Sequence, residues 1–152
     1  MKTLIVFYSR TGNIKRIANE IARKLKADVD EIKSVSNYNG FFGYLRAGYQ
    51  SSAKKNPMIH TEKYPGKYQL IVIGSPTWSW GFSSPVRSYI AKNKLSLKKA
   101  AFFFTSGGPS IKNAIKEIKE LNLGNKILHI RDMEIKQNSY KNKLNKFCKD
   151  LI

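Results

Sequence analysis

Short apolar runs alternate with polar loops and then with amphipathic segments, and this alternation restricts the folds open to the chain. Leu4-Ile5-Val6-Phe7-Tyr8 is a continuous apolar, β-rich run. Runs of this kind suit strands buried on both faces of a parallel sheet. Ser9 to Asn13 follow as a polar loop. Ile14, Ile17, Ala18, Ile21, Ala22 and Leu25 then recur at helical spacing, with Lys15, Arg16, Asn19, Glu20, Arg23 and Lys24 on the other side. That spacing predicts an amphipathic helix. Val29 to Ile32 reads as a short second strand.

The same unit returns twice. Leu70-Ile71-Val72-Ile73-Gly74 reads as a buried strand, followed by a loop from Pro76 to Ser84. Pro85 suits the first position of a helix capped by Ser84, and Val86, Tyr89 and Ile90 give that helix its apolar face. Ala100-Ala101-Phe102-Phe103-Phe104 is a third buried run, with a loop from Thr105 to Ser110. Ile111, Ala114, Ile115, Ile118 and Leu121 mark the next helix, with Gly124 after its end. Lys126 to Ile130 reads as a fifth strand. Tyr140, Leu144, Phe147, Cys148 and Leu151 mark a closing helix that carries Cys148 into the core.

Strands alternating with helices imply an α/β fold, with helices on both faces of an open parallel sheet. The chain's 152 residues suit one domain with one core, taken as residues 1–152. Ser34 to Tyr68 is too long for a simple connection and is rich in aromatic residues and glycine. A helix is expected there from about Phe41 to Ala53.

Composition narrows the setting. Hydrophobic residues make up 41% and charged residues 25%, which is ordinary for a globular protein. No apolar run is long enough to span a membrane, and the N-terminus lacks a signal-peptide layout. One cysteine cannot form an internal disulfide. The cytoplasm is therefore the expected location. The formal charge of +18, from 28 basic and 10 acidic residues, has two readings. One is an acidic partner. The other is a lysine-rich bias on a tolerant surface, since only six of the basic residues are arginine.

In open α/β sheets ligands bind beyond the C-terminal strand ends, near the switch in strand order. Three loops lie there by this reading: Ser9–Ile14, Ser75–Ser84 and Thr105–Ser110. In the first, Ser9, Arg10, Thr11, Gly12 and Asn13 lead into a helix N-terminus, where backbone N–H groups and the helix dipole favour an anion. A phosphate suits this loop, and so does a simple polar cap. The second loop holds Pro76, Thr77, Trp78, Ser79, Trp80 and Gly81. Two tryptophans are costly to leave in water, so they pack on the domain or cover a flat ligand. The third, Thr105-Ser106-Gly107-Gly108, offers small residues and backbone donors for the polar edge of a ring.

Taken together, "IVFYSRTGNIKRIA", "VIGSPTWSWGFSSPVRSYI" and "AFFFTSGG" resemble the flavodoxin family in order and spacing over almost the whole chain. "GFFGYLRAGYQS" resembles the insert of a short subgroup of that family. The resemblance implies a doubly wound, five-stranded parallel sheet of order 2-1-3-4-5 and one bound FMN. It places Ser9, Arg10, Thr11, Gly12, Asn13 and Ile14 around the phosphate. Pro76, Thr77, Trp78, Ser79, Trp80 and Gly81 would line the isoalloxazine, with Trp78 stacked on it. Thr105, Ser106, Gly107 and Gly108 would meet its pyrimidine edge. The peptide matching the family's N5-facing carbonyl is Ser79–Trp80.

The sequence departs from the family pattern in three places. Ile14 stands where many members have threonine, leaving Arg10 or Lys15 to compensate by charge. The third loop lacks a second stacking aromatic, which leaves the ring covered on one face only or the role to a residue from Tyr38–Tyr49. The chain is basic where well-known electron carriers are acidic.

The resemblance implies an electron-transfer protein that cycles FMN through oxidised, semiquinone and hydroquinone states, with redox partner proteins that the charge suggests are acidic. The alternative is an NAD(P)H-dependent FMN or quinone reductase. Association with nucleic acid is a weaker third reading, because basic residues are spread along the chain rather than clustered. No residue of the three loops is an evident catalytic acid, base or nucleophile, and no metal-ligand set is seen. His60 is expected in a loop and His129 in a strand.

Overall fold

The computed structural model describes residues 1–53, 56–78, 81–105, 110–133 and 140–152. The five parallel strands are β1 (Thr3–Phe7), β2 (Asp28–Glu31), β3 (Leu70–Trp78), β4 (Lys99–Thr105) and β5 (Ile127–Asp132). They lie in the order β2-β1-β3-β4-β5. The helices are α1 (Asn13–Leu25), α2 (Gly40–Ser52), α3 (Ser84–Asn93), α4 (Ser110–Glu120) and α5 (Tyr140–Asp150). The switch in strand order falls between β1 and β3, as the expected topology requires.

Strand alternation divides the core in two. Leu4, Val6, Ile71, Ile73, Phe102 and Phe104 point to one face, which α3 and α4 cover through Val86, Ile90, Ala114 and Ile118. Ile5, Phe7, Leu70, Val72, Ala101 and Phe103 point to the other, under α1 and α5. Successive side chains of a strand face opposite ways, so a run that is apolar throughout needs two such layers. Cys148 is buried in the second layer, and burial pushes its thiol pKa up. Among the described residues no helix is long and apolar enough to cross a membrane.

Three local expectations are corrected. The expected loop after Gly74 is in large part strand: β3 runs on to Trp78, and Gly81–Phe82 pairs back on it antiparallel, Thr77 opposite Phe82 and Trp78 opposite Gly81. The central sheet continues past the apolar run because β4 extends beside it, pairing Ser75 with Phe104 and Pro76 with Thr105. Second, the residue preceding α3 is Ser83, not Ser84, and Ser83 does not cap the helix through its side chain. Its N–H instead donates to Ser75 Oγ at 2.9 Å, which ties the base of the hairpin. Third, His60 is in a two-residue strand, opposite Lys33 in an antiparallel pair. His129 is in β5, as expected.

The long connection folds as anticipated around one helix, α2. Its surroundings are held by the buried Asp30 carboxylate, which accepts the backbone N–H groups of Glu62 and Lys63.

Candidate functional site

β1 ends in Phe7, and Tyr8 N–H donates to Gly74 O at 3.2 Å, joining the ends of the two strands that flank the switch point. From there Ser9 turns the chain into α1. Ser9 Oγ accepts the N–H of Gly12 at 3.1 Å and of Lys15 at 3.3 Å. The turn needs Gly12 at φ +89°, a left-handed conformation that favours glycine. Thr11 Oγ1 accepts from Asn13 Nδ2 at 3.4 Å. Arg10, Thr11, Gly12 and Asn13 are exposed, whereas Ile14 is buried with the core under α1. Ile14 can therefore face the loop only through its backbone.

The loop fits an anion. The first turn of α1 contains no acidic residue, and its N-cap, Gly12, has no side chain to cap it, so apart from the Lys15 N–H bonded to Ser9 Oγ its leading N–H groups carry the positive end of the helix dipole. A Cβ at Gly12 would meet nothing within 4 Å, so the backbone is open to close approach. Of the two cations expected to help, Lys15 is paired with Glu31 at 2.8 Å. Arg10 lies over the Tyr44 ring of α2, 5.9 Å from its centroid.

Beside this loop stands an aromatic cluster. Trp78 meets Tyr8 edge-to-face at 6.0 Å and Tyr38 at 5.1 Å, and Tyr8 meets Tyr38 at 6.1 Å. Trp78 is half-buried on these rings, so a flat ligand can meet only its remaining exposed part. Burial and the neighbouring Tyr38 hydroxyl push the Tyr8 pKa up to about 12, against the opposing pull of Arg10. Tyr38 donates to Gln50 Oε1 at 2.5 Å, and Gly43 packs so closely on the Tyr38 carbonyl group that a Cβ there would collide with it. Through these contacts α2 is held against the site.

The second and third segments meet directly. Thr77 Oγ1 donates to Thr105 O at 3.3 Å, and Pro76 is the register partner of Thr105. Ser75 Oγ donates to Pro76 O at 2.9 Å. Gly81 is buried on the return strand, against the carboxylate of Glu117. Ser79 and Trp80, with the peptide between them, and Ser106, Gly107 and Gly108 lie outside the described residues.

The structure therefore brings the described parts of the three expected segments to one edge of the sheet. The aromatic-rich connection supplies Tyr38 and Tyr44 from the range in which a second aromatic was expected. Sequence reasoning did not single out Tyr8, Arg87 or Glu117. Tyr8 was hidden as the last residue of an apolar run. Glu117 carried a signal, since it stands three residues after Ala114 on the apolar face of α4, where a carboxylate needs a buried partner.

The chain matches the family model described as Flavodoxin over residues 2–150. A flavoprotein from Lactobacillus acidophilus, crystallised in complex with FMN, is similar at 27% identity and a TM-score of 0.75, covering 95% of this chain and 98% of that one. The apo-form of the Lactobacillus acidophilus flavoprotein, determined by NMR, is 26% identical with a TM-score of 0.72, over 91% and 96% of the two chains. Oxidised Flavodoxin 1 from Bacillus cereus shares the fold at 19% identity and a TM-score of 0.59, over 99% and 96%. No curated protein matches the sequence.

Proposed function

The chain belongs to the flavodoxin family, and from that premise we propose that it binds one FMN at this sheet edge and carries electrons between redox proteins. The observation that carries the reading is the junction at Tyr8. Its ring packs on Trp78, and the next residue, Ser9, opens the loop into α1, so a helix start that suits a phosphate and an aromatic cluster that suits a flat ring lie side by side. FMN needs both, and its ring, once bound, supplies one- and two-electron chemistry.

In this reading the first turn of α1 and Arg10 hold the phosphate, Thr11 and Asn13 add side-chain donors, and Ser9 keeps the loop in shape. Trp78 meets the ring. Thr77 and Thr105 keep the second and third segments together, and Ser79, Trp80, Ser106, Gly107 and Gly108 complete the ring site. The +18 charge, mostly from lysine, suits an acidic redox partner, and the single buried Cys148 suits the cytoplasm.

The test is to mix the purified protein with FMN, desalt it and record its visible spectrum. Retained flavin absorbance near one FMN per chain is expected. Loss of all flavin from correctly folded protein overturns the reading. Brisk NADPH-driven quinone reduction without a partner reductase would replace the carrier role with a reductase.

A further inference from the structure

The ring segment is held from behind by a buried ion pair. Arg87 of α3 and Glu117 of α4 are each only 7% exposed, and Arg87 Nε donates to Glu117 Oε1 at 2.6 Å. Both partners also hold the return strand of the hairpin. Glu117 Oε2 accepts the N–H of Phe82 at 3.3 Å, and Arg87 Nη2 donates to the carbonyl of Phe82 at 3.4 Å. The polar groups of Phe82 are thus met as a neighbouring strand would meet them. The Arg87 guanidinium also covers the Phe82 ring at 5.4 Å. Gly81 completes the fit, because a Cβ there would collide with Glu117 Oε2.

Stability alone does not account for this arrangement. Desolvating two charges is costly, and an apolar pair of similar volume serves a core as well or better. Arg87 Nη1 is also buried, with no hydrogen-bond partner among the described residues. What the ion pair supplies, and an apolar pair cannot, is directed bonds to one backbone position. That position is the register partner of Thr77 and is next to Gly81, the partner of Trp78.

We infer that Arg87 and Glu117 are positioning residues that fix Gly81–Phe82 against Thr77–Trp78, at the geometry in which Trp78 receives the flavin ring. This rests on the FMN reading above. Neither side chain needs to touch the cofactor. Their effect passes through the Phe82 backbone to Thr77 and Trp78.

The test compares the wild type with E117Q and with the apolar double variant R87M/E117L. Backbone amide exchange of the apo-proteins is measured at Phe82, with FMN and riboflavin affinities, the potential of bound FMN and the melting temperature. The double variant is expected to melt no lower than the wild type but to lose protection at Phe82. Both variants should bind FMN and riboflavin about tenfold more weakly, the equivalent of ~1.4 kcal/mol, with a shifted flavin potential. Inorganic phosphate, which meets only the Ser9–Asn13 loop, should compete equally well in all three proteins. If the double variant fails to fold, E117Q alone decides, since it keeps the size and loses the charge. A folded variant with wild-type affinity and potential makes the pair merely structural and overturns the inference. Failure of the wild type to take up FMN sinks the FMN reading, and this inference with it.

Discussion

Gly74 of β3 and Phe103 of β4 are register partners, and the Phe103 ring fills the space where a side chain at position 74 would stand. The ring has no room to retreat, because Phe103 is fully buried in the layer under α1 and α5. Gly74→Ala is therefore expected to destabilise the fold by about 1–3 kcal/mol through overpacking. Urea unfolding measures this directly. Combining G74A with Phe103→Leu should recover part of the loss. An unchanged midpoint in G74A would show that the β3–β4 contact is looser than the register implies.

Ser9 offers a sharper probe of the anion loop, because its side chain shapes the loop by accepting the N–H groups of Gly12 and Lys15. Ser9→Ala removes that acceptor at a partly exposed position, so global stability should change little. FMN affinity should fall about fivefold, from ~1 kcal/mol for a neutral hydrogen bond. Riboflavin has the ring without the phosphate and should bind S9A as it binds the wild type. Titration of both ligands separates the effects, and an equal loss for each would place Ser9 outside the phosphate site.

Alkaline pH should reveal the buried tyrosines. Burial pushes Tyr8 up to about 12, and burial with a hydrogen bond to Asp28 pushes Tyr68 up to about 12. In the unfolded chain both ionise near the ordinary value of about 10. Their contribution is complete below that value. It falls as pH rises between about 10 and 12, where the unfolded chain sheds protons that the native state still binds. Thermal melts across this range should show stability declining, and Tyr8→Phe should make the decline shallower. A decline of equal slope in Y8F would mean that the Tyr8 hydroxyl ionises as freely in the native state as in the unfolded one.

Much of the scaffold was legible in the chain. The runs at Leu4–Tyr8, Leu70–Gly74 and Ala100–Phe104 announced buried parallel strands, and the spacing from Ile14 to Leu25 announced α1. These signals are strong because a two-layered core demands apolar residues on both sides of a strand and on one side of each helix. The ends were less legible. β3 runs past Gly74 into Ser75-Pro76-Thr77-Trp78, residues that read as a loop until β4 is placed beside them. Ser83 and not Ser84 precedes α3, because Ser83 keeps an extended backbone, with its N–H bonded to Ser75 on β3. His60 pairs with Lys33 for a similar reason, since only folding brings that short strand a partner.

The same division runs through the site. The sequence by itself determined which segments leave the C-terminal ends of the central strands, because periodicity and strand order follow from local residue pattern and chirality. It also marked an anion-friendly turn at Ser9–Asn13, because glycine, a helix start and the absence of acid are local facts. Tertiary structure alone decided that Trp78 leans on Tyr8 and Tyr38, that Lys15 is paired with Glu31 while Arg10 lies over Tyr44, and that Glu117 reaches Phe82. Each of these joins residues far apart in the chain, through contacts that depend on the close packing of several elements at once. No periodicity encodes such a contact, because it exists only after the sheet and helices have come together.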